Sequence, residues 1–236
     1  MNMDASFSKA PVRTRRLSVY LALLWTFFVA LGAAGAEPWQ AALEQMPLGT
    51  NVTELNLTNC VAVMLPALQS NQTVKALIFM PGATDEFYFF HRAKAALTNA
   101  SPTLLDAVNA LAQQTRIRVT FRPPMLLLHT AEDPLEPLTI IKSRPTAERL
   151  RQTHFLPHVV YNDRDWDFLL PILTEGLKME LRPGLDSMDS WHFYRHSFAA
   201  WDLTGWETLQ AIALAGKTTF TVRRDQVVFE GDKRKP

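Results

Sequence analysis

Two stretches decide how this chain is read: Pro81-Gly82-Ala83-Thr84-Asp85-Glu86-Phe87-Tyr88-Phe89-Phe90-His91-Arg92, and Pro183-Gly184-Leu185-Asp186-Ser187-Met188-Asp189-Ser190-Trp191-His192-Phe193-Tyr194-Arg195-His196. From Asp85 and Asp189 the two run without a gap at an offset of 104 through Val108 and Ile212. Leu65-Pro66-Ala67-Leu68 recurs as Leu170-Pro171-Ile172-Leu173. Similarity at a fixed spacing signals one small fold used in tandem.

Each copy yields the same order of elements. In the first, Val52–Leu57 alternates like a half-buried strand. Thr58 is placed to cap a helix to Gln69, and Val74–Met80 is a β-rich run. A second long strand spans Glu86–Ala95. Ser101-Pro102 then starts a helix whose Leu104, Leu105, Val108 and Leu111 share a face. Arg116–Phe121 and Met125–His129 close the copy, with Pro123-Pro124 between them. In the second, His158–Tyr161, a helix capped by Asp163, and Leu177–Leu181 lead to a long strand Trp191–Ala200. Thr204-Gly-Trp-Glu207 has capping-box spacing, and Thr218–Val222 with Gln226–Phe229 form a hairpin around Arg224-Asp225. The expected fold is α+β: two tandem βαββαββ domains at 50–130 and 157–231, each with helices on its own short mixed sheet. A proline-rich connector, 131–156, holds one short helix at 146–154.

The N-terminus has the form of an export signal. Lys9, Arg13, Arg15 and Arg16 precede an apolar run, Leu17–Leu31, and Ala34-Gly35-Ala36 supplies the small-residue cleavage pattern. Residues 1–36 are thus a signal peptide or, uncleaved, a membrane anchor, and the location expected is periplasmic or secreted. The 24 basic and 23 acidic residues are scattered, giving net +1 and no electrostatic case for nucleic acid. Cys60 is the single cysteine, so no internal disulfide forms, and its apolar surroundings suggest a buried thiol.

The segment Ala199–Phe229, with its capped helix, Leu209-x-x-Ile212 core and charged-turn hairpin, resembles the short N-terminal periplasmic (STN-like) domain of secretins and TonB-dependent receptors. Ala96–His129 resembles it less closely, because Pro123-Pro124 interrupts the hairpin. The resemblance implies contact with envelope proteins through strand edges or sheet faces. No channel or barrel segment follows the second copy, so a stand-alone adaptor is expected.

Side chains alternate along a strand, so Tyr88, Phe90 and Arg92 share one face, as do His192, Tyr194 and His196. These six residues are the expected binding surface for a protein partner, since aromatics with cations mark recognition faces. His192 and His196 invite a metal reading, but on a strand they lie about 13 Å apart, so neither a metal nor another cofactor is expected. The other reading is a periplasmic hydrolase or metal-dependent enzyme using Asp186, Asp189, His192 and His196. No nucleophile elbow, phosphate loop or dinucleotide fingerprint accompanies them.

Overall fold

A computed structural model describes residues 38–49, 51–69, 72–80, 92–130, 139–154, 158–164, 166–184 and 196–231. Helices are α1 Pro38–Glu44, α2 Leu57–Leu68, α3 Leu104–Gln114, α4 Arg144–Gln152, α5 Trp166–Leu177 and α6 Gly205–Ala215. Strands are β1 Glu54–Asn56, β2 Ala76–Met80, β3 Lys94–Ala96, β4 Arg118–Arg122, β5 Met125–His129 and β6 Thr139–Ile141. They continue as β7 His158–Arg164, β8 Glu180–Pro183, β9 His196–Trp201, β10 Thr218–Val222 and β11 Gln226–Gly231. The chain is a mixed α+β protein with short mixed sheets, as expected.

Pairing repeats between the halves. In the first, β1 pairs β3 antiparallel, β4 pairs β5 antiparallel, and β2 pairs β5 parallel. In the second, β7 pairs β9, β10 pairs β11 and β8 pairs β11 with the same senses. The preceding helices match too. Leu104 N–H donates to Met46 O at 2.8 Å, and Gly205 N–H donates to Thr153 O at 2.7 Å. Isolated bridges join Pro47 to Thr103 and His154 to Thr204.

One expectation is corrected here: the halves do not keep separate sheets. β2 of the first half pairs antiparallel with β9 of the second, Ala76 opposite Ala200 and Ile78 opposite Phe198. The result is a five-stranded sheet, β4-β5-β2-β9-β7, beside a two-stranded sheet β1-β3 and a four-stranded sheet β6-β10-β11-β8. The physical reason is that β2 and β5 are apolar on both faces. Leu77, Phe79, Leu126 and Leu128 pack with Leu104, Val108 and Leu111 of α3 and Met64 and Leu68 of α2. Ala76, Ile78, Met125 and Leu127 pack with Leu209 and Ile212 of α6 and Leu169 and Leu173 of α5. A strand buried on both faces needs a layer on each side. The order of layers is therefore sheet, helices, shared sheet, helices, sheet.

The connector is corrected as well. β6 adds parallel to β10, and Ala147 and Leu150 of α4 are buried, Leu150 in the second half's core, so residues 139–154 are more than a spacer. Register and caps shift locally. Thr103, not Ser101, caps α3, with Asp106 completing a capping box; Thr204 and Glu207 do the same for α6. These caps stand 101 residues apart, so the ungapped offset of 104 fails before the helix. Burial agrees with the shorter offset: Leu104, Ala107, Val108 and Leu111 match Gly205, Thr208, Leu209 and Ile212. β1 is shorter than Val52–Leu57, because Leu57 already begins α2, so Thr58 lies inside that helix. Asp163 lies within β7 rather than capping α5. Pro123-Pro124 does not interrupt the first hairpin; it forms the turn, through a cis peptide. Of the two long aromatic strands, only Lys94–Ala96 and His196–Trp201 fall among the described residues as strand, with Arg92 and Ala93 outside β3.

Candidate functional site

Tyr88, Phe90, His192 and Tyr194 lie outside the described residues, as do Asp186 and Asp189 of the enzyme reading. Arg92 is exposed just before β3. His196 opens β9 opposite Arg164 of β7. Arg92 thus leads into the two-stranded sheet, whereas His196 lies in the five-stranded one. His129 is buried and its Nε2 lies 2.8 Å from Thr120 Oγ1. Among the described residues no three His, Cys, Asp or Glu side chains gather as metal ligands do.

Strand edges give a sharper picture, and two of them are blunted. On β3, the side-chain amide of Gln114 imitates a neighbouring strand: Ala96 N–H donates to Gln114 Oε1, and Gln114 Nε2 donates to Ala96 O, both at 2.8 Å. Leu97 N–H donates inward to Thr53 O, so Ala96 faces the outer edge. The matching edge of β9 receives β2 instead, where Trp201 N–H donates to Lys75 O at 2.8 Å. Along β8, Glu180 N–H donates to Asp225 O just before β11 and Gly184 N–H, just past β8, to Phe229 O of β11, so alternation turns Leu181 and Pro183 outward. Pro183 brings no N–H to that edge, a common way of discouraging strand addition. The outer faces carry charge as well: Glu54 and Lys94 pair at 3.1 Å, and Arg182 reaches Glu180 at 2.6 Å.

The edge at β6 differs. Lys142 N–H donates to Val222 O at 2.9 Å, so Ile141 and Thr139 direct their backbone N–H and C=O away from β10. Ile140 and Ile141 are 43% and 41% exposed, on an edge strand of the four-stranded sheet. Exposed β-branched residues on such an edge favour the addition of another strand.

Beyond the C-terminal end of β6 opens a concavity of about 790 Å³ lined by Lys142, Ser143, Pro145, Thr146, Arg149, Arg223 and Arg224. Its four cations come from the end of β6, from α4 and from the β10–β11 turn. Among the described residues none of the four is engaged in an ion pair. Thr146 Oγ1 donates to Arg224 O at 2.9 Å and meets Ser143 Oγ at 2.9 Å, which fixes the floor. Ser143 caps α4 by position without a side-chain capping bond. The sequence held each residue in view but not their convergence, because some 80 positions separate Lys142 from Arg223.

A third cluster ties the halves together. Asp202 Oδ2 lies 3.2 Å from Lys75 Nζ, and Asp202 Oδ1 lies 2.6 Å from His154 Nδ1. Asp202 adopts a left-handed φ of 51°, which Asp tolerates better than most residues. Desolvation pushes its carboxyl up, but the hydrogen bonds and charges of Lys75 and His154 outweigh this and hold it below its ordinary value. A His–Asp pair can orient a catalytic base. Here the carboxylate's other oxygen holds a lysine, so the trio acts as a clasp between β2, the connector and the end of β9.

No known protein family, curated protein or solved structure matches this chain.

Proposed function

We propose that this chain is a non-catalytic interaction module of the cell envelope: two βαββαββ units, stacked through a shared sheet, that bind a protein partner by accepting a strand at an edge unpaired among the described residues. The observation that carries this reading is the contrast between the β6 edge and the edges at β3 and β8. Gln114 and Pro183 blunt β3 and β8, while β6 leaves Ile140 and Ile141 exposed with outward backbone groups. Strand addition draws affinity from main-chain hydrogen bonds and selectivity from side-chain pockets. The pairing of β2 with β9 supplies an example of such docking within the chain itself. The repeated pairing pattern supports a tandem duplication. The capped helix α6 and the Arg224-Asp225 hairpin, which carry the STN-like resemblance, are both formed. The export signal at 1–36 supports an envelope or secreted location, where another envelope protein is the natural partner.

The test is capture of partners from envelope extract by the wild-type chain and by Ile141→Pro. Ile141 turns its N–H outward, so proline there removes an edge donor without taking a bond from β10. The reading expects a protein recovered by the wild type and lost with the variant. Equal recovery by both chains, or turnover of an ester or peptide panel by the purified protein, contradicts it.

A further inference from the structure

We propose that the β6 edge and the adjoining basic concavity form one site, and that its ligand is an extended acidic segment of a partner protein. This rests on the strand-edge reading above and gives it a chemistry. Three observations meet at one place. First, Thr139 and Ile141 turn their N–H and C=O groups outward, and these groups fit a polypeptide backbone. Second, the strand runs directly into Lys142 and Ser143, so a segment paired along β6 continues over the concavity. Third, that concavity presents Lys142, Arg149, Arg223 and Arg224, with no acidic side chain among the described residues of its lining.

The local backbone adds to the same preference. α4 starts at this wall, and the Ser143 side chain accepts no capping bond from its first turn, so the N–H groups of Arg144 and Thr146, on either side of Pro145, favour a carboxylate. Arginine suits the task, since its planar fork binds carboxylates in a bidentate way. A partner strand therefore gains specificity at one end only: apolar or β-branched residues beside Ile140 and Ile141, and Asp or Glu beyond Ile141. A nucleic acid or an anionic lipid surface would satisfy the cations but leave the backbone edge unused, so the peptide is the occupant that uses both features.

Synthetic labelled peptides test this by fluorescence anisotropy on the full chain at about 0.15 M salt. The probes are an alternating Thr-Val segment ending in a glutamate run, made with the run at either end, the same segment ending in lysines, and an acidic form N-methylated at every residue of the Thr-Val segment, so that neither of its edges can donate. The acidic peptide, in one of its two orientations, binds about tenfold more tightly than the lysine peptide, a difference that a few partly exposed ion pairs supply. N-methylation abolishes binding, and the paired change Arg149→Glu with Arg223→Glu reverses the charge preference. Equal affinity for acidic and basic tails overturns the charge assignment while leaving the edge reading intact. Unchanged binding of the N-methylated peptide shows anion capture alone and overturns the strand. Absence of binding by every peptide overturns both. Tighter association with phosphatidylglycerol vesicles or a duplex DNA than with the acidic peptide overturns the choice of occupant.

Discussion

Phe198→Ala probes the seam between the halves. Phe198 is fully buried on β9, stands opposite Ile78 of β2, and belongs to the core that α5, α6 and the four-stranded sheet complete. Removing a buried phenylalanine ring costs about 3–5 kcal/mol, the lost transfer energy plus the cavity left behind. For a folded region near 200 residues, each kcal/mol lowers the melting temperature by about 2–4 °C, so the loss is about 6–20 °C. Because β2 and β9 lie in one sheet, the loss must be felt on both sides of it. Native-state hydrogen exchange reads this directly. Amides of Leu126 and Leu128 in β5 should lose protection in step with those of Val227 and Phe229 in β11. Calorimetry should show one cooperative transition that moves as a whole. If β11 destabilises while β5 keeps its wild-type protection, or if the variant melts in two separated steps, the halves are independent and the shared-sheet account is wrong.

Three other substitutions have defined outcomes. Asp202→Asn removes a carboxylate whose value is held low by Lys75 and His154. Its stabilisation is complete above the ordinary carboxylate value of about 3.9 and vanishes as pH falls through the lower folded value. Wild type and variant therefore differ at neutral pH and converge in acid, a pattern visible in urea melts across pH. Gln114→Ala uncovers both Ala96 backbone groups at the β3 edge, and the expected result is faster exchange at Ala96 with a loss of about 1 kcal/mol or less in stability. Gly184→Ala places a Cβ 2.7 Å from Glu230 Cγ and 3.0 Å from Phe229 O, so denaturant melts should show about 1–3 kcal/mol of destabilisation as β8 shifts against β11.

What the sequence discloses and what it hides have physical causes. Thr204-x-x-Glu207 is legible because both residues of the box are of the favoured types, and burial of Leu209 and Ile212 follows from helical spacing. Thr103-x-x-Asp106 makes the same bonds with a shorter acid, a departure that hides the true start of α3 and with it the change of offset. The proline inside α2 and the one inside α5 break neither helix, as the repeated Leu-Pro-x-Leu suggests. The shared sheet leaves one sign in the residues themselves. Ala76-Leu-Ile-Phe-Met80 and Met125-Leu-Leu-Leu128 are apolar at every position, whereas their counterparts Glu180-Leu-Arg-Pro183 and Gln226-Val-Val-Phe229 place polar residues on the outer face. Continuous apolar runs mean burial on both faces, and that requires a layer from outside the first half. The edge at β6 and its cations are hidden for a different reason: their convergence depends on a connector strand adding to a hairpin some 80 residues away, a long-range pairing that no local pattern encodes.

The stack of layers hangs on the pairing of β2 with β9, and a cross-link across that seam reads it. Ala76 and Ala200 are both buried and stand opposite each other in a pair that exchanges no hydrogen bonds, for which Cα atoms lie about 4.5 Å apart, within disulfide reach. In a Cys60→Ser background, the Ala76→Cys, Ala200→Cys variant should form an intramolecular disulfide on mild oxidation, seen as a mass loss and faster migration without reductant. Two persistent free thiols, or only intermolecular dimers, would contradict the seam on which the stack and its edges depend.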